Sequence, residues 1–345
     1  MTSMTSYVAQ ISPQRSTQYT NVARDLAAAE LLASPLGPML TDVAMEPIAG
    51  QDYLKFTVPG ASLSAEQLQQ LAGMAMLGSL FEFFPAIGEV QGPLLRPTSA
   101  IYPFFISADL ASIRRYKGKT NEFFTRFLCN IAKNASDFRD AEWRALKLLD
   151  PLCGGGTTLF VALSLGANVA GIELDRGDVE STATFITQFC RESRIRISVT
   201  EERLRKLASA RRWLFQIGQK EDQRRCMLVN GDAVQARELI SGFGQPHLIV
   251  TDLPYGIQHQ APLAALLTTR LPEWADLLQP GGVIAFSWDA TRFSRAEMIE
   301  LVHQVAPLDV VQRPPYDTIA HRVDRVVKRR DVIVARARTS SNAGT

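Results

Sequence analysis

From about residue 145 onward, short apolar runs alternate with amphipathic stretches, and this alternation limits the possible folds of the chain more than any other feature. Seven runs bounded by Gly, Pro or Asp have the composition of buried strands: LKLLD, VAGIE, CMLVN, HLIVTD, GVIAFSW, LDVVQ and DVIVARA. Most are separated by stretches with helical periodicity, such as TTLFVALSLGA and RAEMIELVHQVA. The pattern predicts an α/β fold with a Rossmann-like, seven-stranded, mostly parallel sheet covered by helices on both faces.

The first part of the chain lacks this alternation. Its segments predict a helix at NVARDLAAAELLAS, a strand at YLKFTV, a helix at SAEQLQQLAGMAMLGSLFEFF and a connector at QGPLLRPTSAIYP. We therefore expect a smaller N-terminal α/β accessory domain over residues 21–110, after a flexible arm over residues 1–20. The main domain is expected over residues 111–338, with a flexible tail at 339–345.

Composition excludes several classes of protein. Apolar residues make up 46% of the chain and charged residues 21%, which is enough for a sizeable core. No apolar run reaches the ~18 residues of a membrane span, and the N-terminus lacks the pattern of a signal peptide. The four scattered cysteines predict neither a disulfide framework nor a zinc site: Cys129, Cys153, Cys190 and Cys226. We expect a cytoplasmic protein that binds no metal and no membrane.

The net charge is only +2, but the basic residues are concentrated in two segments. Arg191–Arg225 holds 11 Lys/Arg and 5 Asp/Glu, a local charge of +6, and Arg313–Arg338 holds 8 and 3, a charge of +5. Such runs form either a solvated helix face or a phosphate-facing surface. In the first segment, a basic insertion near residues 191–225, cations alternate with aromatic residues. That mixture suits RNA, and it makes Arg211, Arg212 and Trp213 candidate substrate-binding residues.

The segment KGKTNEFFTRFLCNIAKNAS precedes the first predicted strand and has the pattern of a helix. Thr120 is a candidate N-cap, with Glu122 in the first turn, where the helix dipole favours an acid. Phe123, Phe127 and Ile131 share one face of this helix and are expected to pack on the sheet.

The loop LLDPLCGGGTTL lies between a predicted strand and a predicted helix, the position at which open α/β sheets bind ligands. Glycine permits backbone angles and close approaches that other residues do not. A phosphate-binding Walker loop is excluded because no lysine follows the glycines. The segment matches a dinucleotide fingerprint only in part, at Gly154 and Gly156, and a simple structural turn is the alternative reading.

Acidic residues at the next two strand ends favour an adenosine ligand. Glu173 ends the second strand, where an acid can accept hydrogen bonds from ribose hydroxyls. Asp232 follows the third strand and is placed to bind an adenine amino group. Each acid alone has the simpler explanation of a helix cap or a solvated side chain.

The fourth strand ends in Asp252-Leu253-Pro254-Tyr255-Gly256, a combination with specific chemistry. A carboxylate and turned backbone carbonyls can accept both N–H bonds of an exocyclic amine, and proline fixes the turn. Tyr255 can stack on the ring that carries the amine, and it is therefore a substrate-binding as well as a catalytic candidate.

The motifs DPLCGGGT, GIELD, NGDA and TDLPYG, in this order, resemble those of class I S-adenosylmethionine-dependent methyltransferases. TDLPYG, with KGKT and DPLCGGGT upstream, is most similar to the THUMP-associated tRNA guanine-N2 methyltransferases. The resemblance covers residues 115–338. It implies catalytic roles for Asp252, Leu253, Pro254 and Tyr255. It implies S-adenosyl-L-methionine binding by Thr120, Asp150, Cys153, Gly154, Gly156, Thr157, Glu173, Asp232 and Asp252.

The resemblance also implies direct methyl transfer to an exocyclic amine of a nucleic-acid base, with RNA favoured over DNA. DNA amino-methyltransferases usually carry a proline at the position of Leu253, and no THUMP domain is recognisable in residues 1–110. The alternatives are a DNA amino-methyltransferase, a small-molecule or peptide N-methyltransferase, and a non-catalytic protein that binds S-adenosylmethionine as a scaffold.

Overall fold

A computed structural model describes residues 4–13, 17–116, 118–204, 207, 210–254, 260–323 and 329–338. The chain divides into two compact units. The first unit comprises Met1–Pro103 and Gln312–Arg330, and the second comprises Phe104–Val311 and Asp331–Thr345. This division differs from the predicted boundary at residue 110, because Phe105 already donates a backbone hydrogen bond to Ser164 of the second unit, and because a late segment returns to the first. The predicted tail at 339–345 lies outside the described residues.

In its described residues, the first unit contains one antiparallel sheet and two α-helices. Its elements are β1 (Met4–Ile11), α1 (Thr17–Ala33), β2 (Thr41–Ile48), β3 (Gln51–Pro59), α2 (Ala65–Ala72), β4 (Leu77–Ile87) and β5 (Val90–Pro97). The strand order is β2-β3-β1-β4-β5, and every neighbouring pair is antiparallel. A βαββαβ chain with this order of its first four strands has the ferredoxin-like topology, to which β5 adds an edge strand.

Three predictions for this region were wrong. The arm over residues 1–20 contains β1, a central strand, because Tyr7, Val8 and Ala9 give it a buried apolar centre. The helix predicted over SAEQLQQLAGMAMLGSLFEFF ends early, because Gly73 follows α2 and the apolar residues after it form β4. The predicted connector contains β5, which pairs with β4 along most of its length.

The second unit contains a large sheet and most of the helices. Its first elements are α3 (Asp109–Ile113), α4 (Glu122–Ala135), β6 (Lys147–Asp150), α5 (Thr157–Leu165), β7 (Asn168–Glu173), α6 (Arg176–Glu192), β8 (Ile197–Leu204) and β9 (Ala210–Ile217). Its remaining elements are β10 (Arg224–Asn230), α7 (Ala236–Leu239), β11 (Leu248–Asp252), α8 (Gln260–Leu277), β12 (Val283–Asp289), α9 (Arg295–Val305), β13 (Leu308–Val310) and β14 (Arg330–Ala337).

The strand order of this sheet is β13-β14-β12-β11-β6-β7-β10-β9-β8. The pairs joining β12, β11, β6, β7 and β10 are parallel, so the mostly parallel α/β sheet that the sequence predicts is confirmed. All seven predicted strands are present. Helices α8 and α9 pack on one face through Leu267, Trp274 and Met298, among other residues. The parallel strands therefore bring the ends of β6, β7, β10 and β11 to the same edge of the sheet.

The sheet has nine strands rather than seven, because the basic insertion near residues 191–225 contains the hairpin β8–β9. Trp213, Phe215 and Ile217 alternate along β9 and are buried, while Leu214 and Gln216 between them are half-buried and exposed, respectively. This period of two forms a strand with one apolar face and extends the sheet at its edge. In the part of the chain that the structure describes, no helix is long and apolar enough to cross a membrane.

Candidate functional site

The glycine loop between β6 and α5 requires glycine for two reasons. Gly154 has φ +48° and Gly156 has φ +86°, both in the left-handed region that favours glycine. A Cβ atom added to Gly155 would lie 2.5 Å from the ring of Tyr116, so the ring packs directly on the loop backbone. A Cβ atom at Gly154 would meet no atom within 4 Å, so the backbone there is open to a ligand.

Tyr116 also holds the start of α5. Its hydroxyl lies 2.6 Å from the Thr157 hydroxyl in a hydrogen bond, and Thr157 is the first residue of that helix. Burial raises the pKa of Tyr116, which keeps the phenol protonated near neutral pH. Sequence analysis missed Tyr116, although an aromatic residue just before the KGKT segment was the available signal.

Asp150 and Cys153 flank the loop inside the protein. Burial raises the pKa of the Asp150 carboxyl to about 6, although it accepts a hydrogen bond of 3.1 Å from the Leu152 backbone amide. Burial also raises the pKa of the Cys153 thiol well above its usual range, so the sulfur stays protonated. The Cys153 amide donates to the carbonyl of Ile172 in β7 at 2.9 Å. Asp150 and Cys153 therefore support the loop from its buried side.

Glu173, at the end of β7, is bonded to the glycine loop. Its carboxylate accepts hydrogen bonds from the backbone amides of Gly154 at 2.9 Å and Asp175 at 2.8 Å. Each carboxylate oxygen has a second lone pair, which leaves acceptor capacity for a ligand hydroxyl. The carboxylate thus fixes the loop relative to the next strand of the sheet.

Asp232 and two apolar side chains surround the end of β10. The Asp232 carboxylate accepts from the Val234 amide at 3.0 Å and from Arg270 of α8 at 3.0 Å. Leu174, which follows Glu173, has 69% of its surface exposed, and Val234 has 39% exposed. The Asn230 side chain donates to the Leu174 carbonyl at 2.9 Å and joins the two strand ends. Exposed apolar groups beside hydrogen-bonding acids suit a heteroaromatic ring.

Asp252, at the end of β11, has both carboxylate oxygens bonded to hydroxyl groups. The Thr120 hydroxyl donates to one oxygen at 2.6 Å, and the Ser287 hydroxyl donates to the other. Ser287 pairs with Asp252 across β11 and β12, and its carbonyl accepts from the Leu253 amide at 3.0 Å. The two hydroxyl groups fix the orientation of the carboxylate. Sequence analysis missed Ser287, because nothing in the sequence indicates which strand pairs with β11.

Thr120 does not act as the predicted N-cap. The cap of α4 is Asn121, whose side chain accepts from the amides of Phe123 and Phe124 at 2.9 and 3.0 Å. Asn is as good a cap as Thr, and its use leaves the Thr120 hydroxyl to reach Asp252. Of the three residues predicted to pack, Phe127 and Ile131 are fully buried.

The rest of the predicted catalytic segment is only partly described. Leu253 is buried, so its side chain fills the core while its backbone forms the turn after β11. Pro254 is exposed next to it. Tyr255 lies outside the described residues.

The three residues predicted to bind RNA lie on β9, and their surroundings differ from that expectation. Trp213 has only 7% of its surface exposed, so its ring belongs to the core and is not available to stack on a base. Arg212 forms an ion pair with Glu202 at 2.6 Å, and Arg211 one with Glu201 at 3.2 Å. The glutamates on β8 therefore neutralise the charge of the arginines on β9. Counting charges along the sequence does not reveal this pairing.

Among the residues that the structure describes, no group of three or more His, Cys, Asp or Glu side chains could hold a metal ion. All four cysteines are free and buried.

Known proteins resemble this chain at two levels. Residues 138–299 match the model of a family described as UPF0020, the RMKL-like methyltransferase domain. No curated protein matches the chain in sequence.

Among solved structures, TrmN from Thermus thermophilus is 15% identical with a TM-score of 0.46, over 97% of this chain and 100% of that one. An rRNA methylase from Streptococcus thermophilus is 8% identical with a TM-score of 0.36, over 58% and 94%. Magnesium protoporphyrin IX methyltransferase (ChlM) from Synechocystis PCC 6803, with bound SAM, is 15% identical with a TM-score of 0.35, over 67% and 92%. The matched residues 138–299 include every strand end described above, which makes this region of the chain similar to an RMKL-like methyltransferase domain.

Proposed function

We propose that this protein is an S-adenosylmethionine-dependent N-methyltransferase that acts on an exocyclic amine of a base in RNA, with guanine-N2 of tRNA as the first target to test. The observation that carries the proposal is the Asp252 carboxylate, held at the end of β11 by the hydroxyls of Thr120 and Ser287. A fixed carboxylate acceptor at that strand end suits an amine nucleophile, which must present its lone pair while its N–H bonds are held.

The residues at the neighbouring strand ends fit S-adenosyl-L-methionine. The open backbone at Gly154 allows close approach of the cofactor. Glu173 would accept from the ribose hydroxyls, and Asp232 from the adenine amino group. The exposed side chains of Leu174 and Val234 would contact the adenine ring. When bound, the cofactor supplies an electrophilic methyl group on a sulfonium centre.

The chain's own contribution to the reaction is to hold the amine. Asp252 accepts one N–H of the target amine, and the backbone carbonyls of the turn at Leu253 and Pro254 can accept the other. Two accepted hydrogen bonds raise the electron density on nitrogen and orient its lone pair. Because Thr120 and Ser287 already fix the carboxylate, little reorganisation is needed when the substrate enters.

What supports a base in RNA over one in DNA is the TDLPYG motif. Leu253 stands where DNA amino-methyltransferases usually have proline, and its buried side chain is part of the core. The ferredoxin-like first unit is a separate domain that could contribute to substrate choice. A base in a folded RNA would have to be flipped out of its stack, at a cost of a few kcal/mol.

The test is methyl transfer from radiolabelled S-adenosylmethionine to unmodified tRNA transcripts, DNA and small amines, with the modified nucleosides identified by mass spectrometry. We expect label in RNA as an N-methylated base. Asp252→Asn, which keeps the shape but weakens the acceptor, should lower kcat about a hundredfold or more with little change in cofactor affinity. Asp309→Asn is the matched control, because Asp309 is an exposed acid that pairs with Arg338, the residue after β14. Label in DNA or small amines alone, or a wild-type rate for Asp252→Asn, would contradict the proposal.

A further inference from the structure

The second basic segment of the chain divides into two parts with different surroundings. In and just after β14, Arg336 pairs with Asp137 and Arg338 pairs with Asp309. The part before them, Gln312–Arg330, contains six Lys/Arg and two Asp, a net charge of +4. Three of its arginines are exposed, and within the described residues none of the three forms an ion pair: Arg313, Arg322 and Arg329. The charge of this part is therefore available to a partner from outside the chain.

Two of these arginines lie side by side in a short antiparallel ribbon. His321 and Arg330 form an antiparallel bridge in which each amide donates to the other's carbonyl at 2.9 Å. The next residues on the two chains, Arg322 and Arg329, are therefore opposite each other, with Cβ atoms about 4.5–5.5 Å apart. His321 is 3% exposed and Arg330 8%, whereas Arg322 and Arg329 are exposed. The ribbon thus has a buried side and a basic side, and we call Arg322 and Arg329 the arginine pair.

Neighbouring groups do not neutralise the arginine pair. Burial, together with the charge of Arg330, lowers the pKa of His321 to about 4, so its imidazole is neutral at physiological pH. Burial raises the pKa of Asp25 on α1, and the charges of Arg24 and Arg322 oppose that shift, so this acid is shared between two arginines. Like charges directly opposite each other in a two-stranded pair are destabilising. A bound anion would remove the repulsion between Arg322 and Arg329.

The ribbon joins the second unit at the edge of the sheet that holds the candidate site. Helix α9 follows β12, and its first residue, Arg295, donates to the carboxylate of Asp331 near the start of β14 at 2.7 Å. The end of β14 lies at the opposite edge, because the Ala337 amide donates to the carbonyl of Gly282, which precedes β12. β14 therefore begins at the edge where β11 ends in Asp252, two strand spacings or about 10 Å away. Since the ribbon directly precedes Asp331 in the chain, it is attached at the edge that a substrate must approach.

We propose that the arginine pair binds the phosphate backbone of the substrate RNA beside the target base. This inference rests on the proposed function, since it assumes that an RNA base reaches Asp252. A nucleic-acid strand carries a negative charge at every nucleotide, so a base in the site brings phosphates with it on either side. Planar guanidinium groups bind phosphate oxygens through paired hydrogen bonds. Such contacts fix the position of the strand without reading its sequence.

The experiment measures binding of an unmodified tRNA transcript to the full chain by fluorescence anisotropy at several salt concentrations. The double variant Arg322→Gln/Arg329→Gln should bind about tenfold more weakly. Its plot of log affinity against log salt should be shallower by about 1.4–1.8, the contribution of two phosphates. In methylation assays, KM for the tRNA should rise about tenfold and kcat should stay within about twofold, because the groups that hold the amine are unchanged. The melting temperature should stay constant or rise, because a repulsion is removed.

The matched control is Arg196→Gln/Lys220→Gln, which removes the same charge from two exposed cations of the first basic segment. These two cations are also close together, since the Gly218 amide donates to the Arg196 carbonyl at 2.9 Å. The control should change the tRNA affinity by less than about twofold. An equal loss in both double variants would mean that total charge alone matters, and the assignment would be wrong. An unchanged affinity and salt dependence in Arg322→Gln/Arg329→Gln would refute it as well.

Further outcomes separate the alternatives. If the double variant does not fold, Arg322→Gln alone still decides, because it should make the salt dependence shallower by about 0.7–0.9. Binding of polyglutamate in place of tRNA, lost in the same variants, would point to an acidic protein partner and refute an RNA site. A wild type that methylates RNA while the double variant keeps its KM would overturn this inference alone. A wild type that neither binds nor methylates RNA would instead overturn the proposed function.

Discussion

At the scale of single residues, Asp150 shows how burial beside the cofactor loop changes stability. Its carboxyl has a pKa of about 6 in the folded protein, against an ordinary value of 3.8, and burial is the main cause. Between these values the folded state binds more protons than the unfolded chain. The stability that the neutral carboxyl provides is therefore complete below pH 4 and is lost as the pH rises through 6.

Asp150→Asn should remove this pH dependence, because the amide stays neutral and can still accept from Leu152. We expect the variant to be more stable than the wild type at pH 8 by about 2–3 kcal/mol, with the difference closing as the pH approaches 4. Urea unfolding of both proteins at pH 4, 6 and 8 measures this. A difference that stays constant across the three pH values would mean that ionisation of Asp150 is not its cause.

The acids of the site also show what could be predicted residue by residue. Asp150, Glu173, Asp232 and Asp252 lie at the strand ends where the apolar runs placed them. Their partners could not be predicted, because they come from remote parts of the chain: Thr120 is 132 residues from Asp252, and Glu173 is 19 from Gly154. Side-chain pairing depends on strand order, which local patterns do not contain.

At the scale of elements, strands buried on both faces were predictable and strands with one polar face were not. The runs that became β6, β7, β11 and β12 are continuously apolar, since helices cover both faces of a parallel sheet. In β1 and β9, polar residues lie beside or between the buried residues. The sequence of β1 therefore predicted a flexible arm, and that of β9 predicted part of a basic insertion. The secondary structure of such segments depends on pairing with neighbouring strands more than on amino-acid composition.

The central strand β1 provides a test of its structural role through Tyr7. Its ring stacks on Phe56 with centroids 5.8 Å apart, and its hydroxyl accepts from the Leu63 amide at 3.0 Å. Tyr7→Ala should destabilise the first unit by about 3–5 kcal/mol, the usual effect of removing a buried ring. Tyr7→Phe removes only the hydroxyl and should cost about 1–3 kcal/mol, because the Leu63 amide loses its partner.

Hydrogen exchange of the β3 and β4 amides reports on this unit directly. Both variants should lower protection there, the alanine variant more strongly. Exchange unchanged by Tyr7→Ala would show that β1 does not stabilise the sheet and that the expectation of a loose arm was closer to the truth.

At the scale of the whole molecule, the chain leaves the second unit after β13 and re-enters it at β14. The segment Gln312–Arg330, which ends at the first residue of β14, belongs to the first unit, and its residues Tyr316 and Ile319 are buried. β13 and β14 are nevertheless paired strands, with Val310 opposite Ala335. This segment is therefore an insertion into a β-hairpin. A truncation that begins at residue 104 would keep the segment but remove the rest of the first unit, and with it the core on which the segment packs.

A chain that joins 104–311 to 331–345 through eight Gly/Ser residues should fold and bind S-adenosylmethionine within about threefold of the full chain's affinity, a difference of less than 1 kcal/mol. The linker can span up to ~26 Å, enough to connect the ends of a hairpin. Every residue expected to bind the cofactor, from Thr120 to Asp252, lies in the retained unit. The control is a simple truncation that starts at residue 104 and keeps 312–330. It should bind equally if it folds but unfold at lower temperature, since Tyr316 and Ile319 lose the core that buries them. Calorimetry and thermal melting of both chains decide the question, and a linked chain that folds without binding the cofactor would show that residues of the first unit contribute to the site.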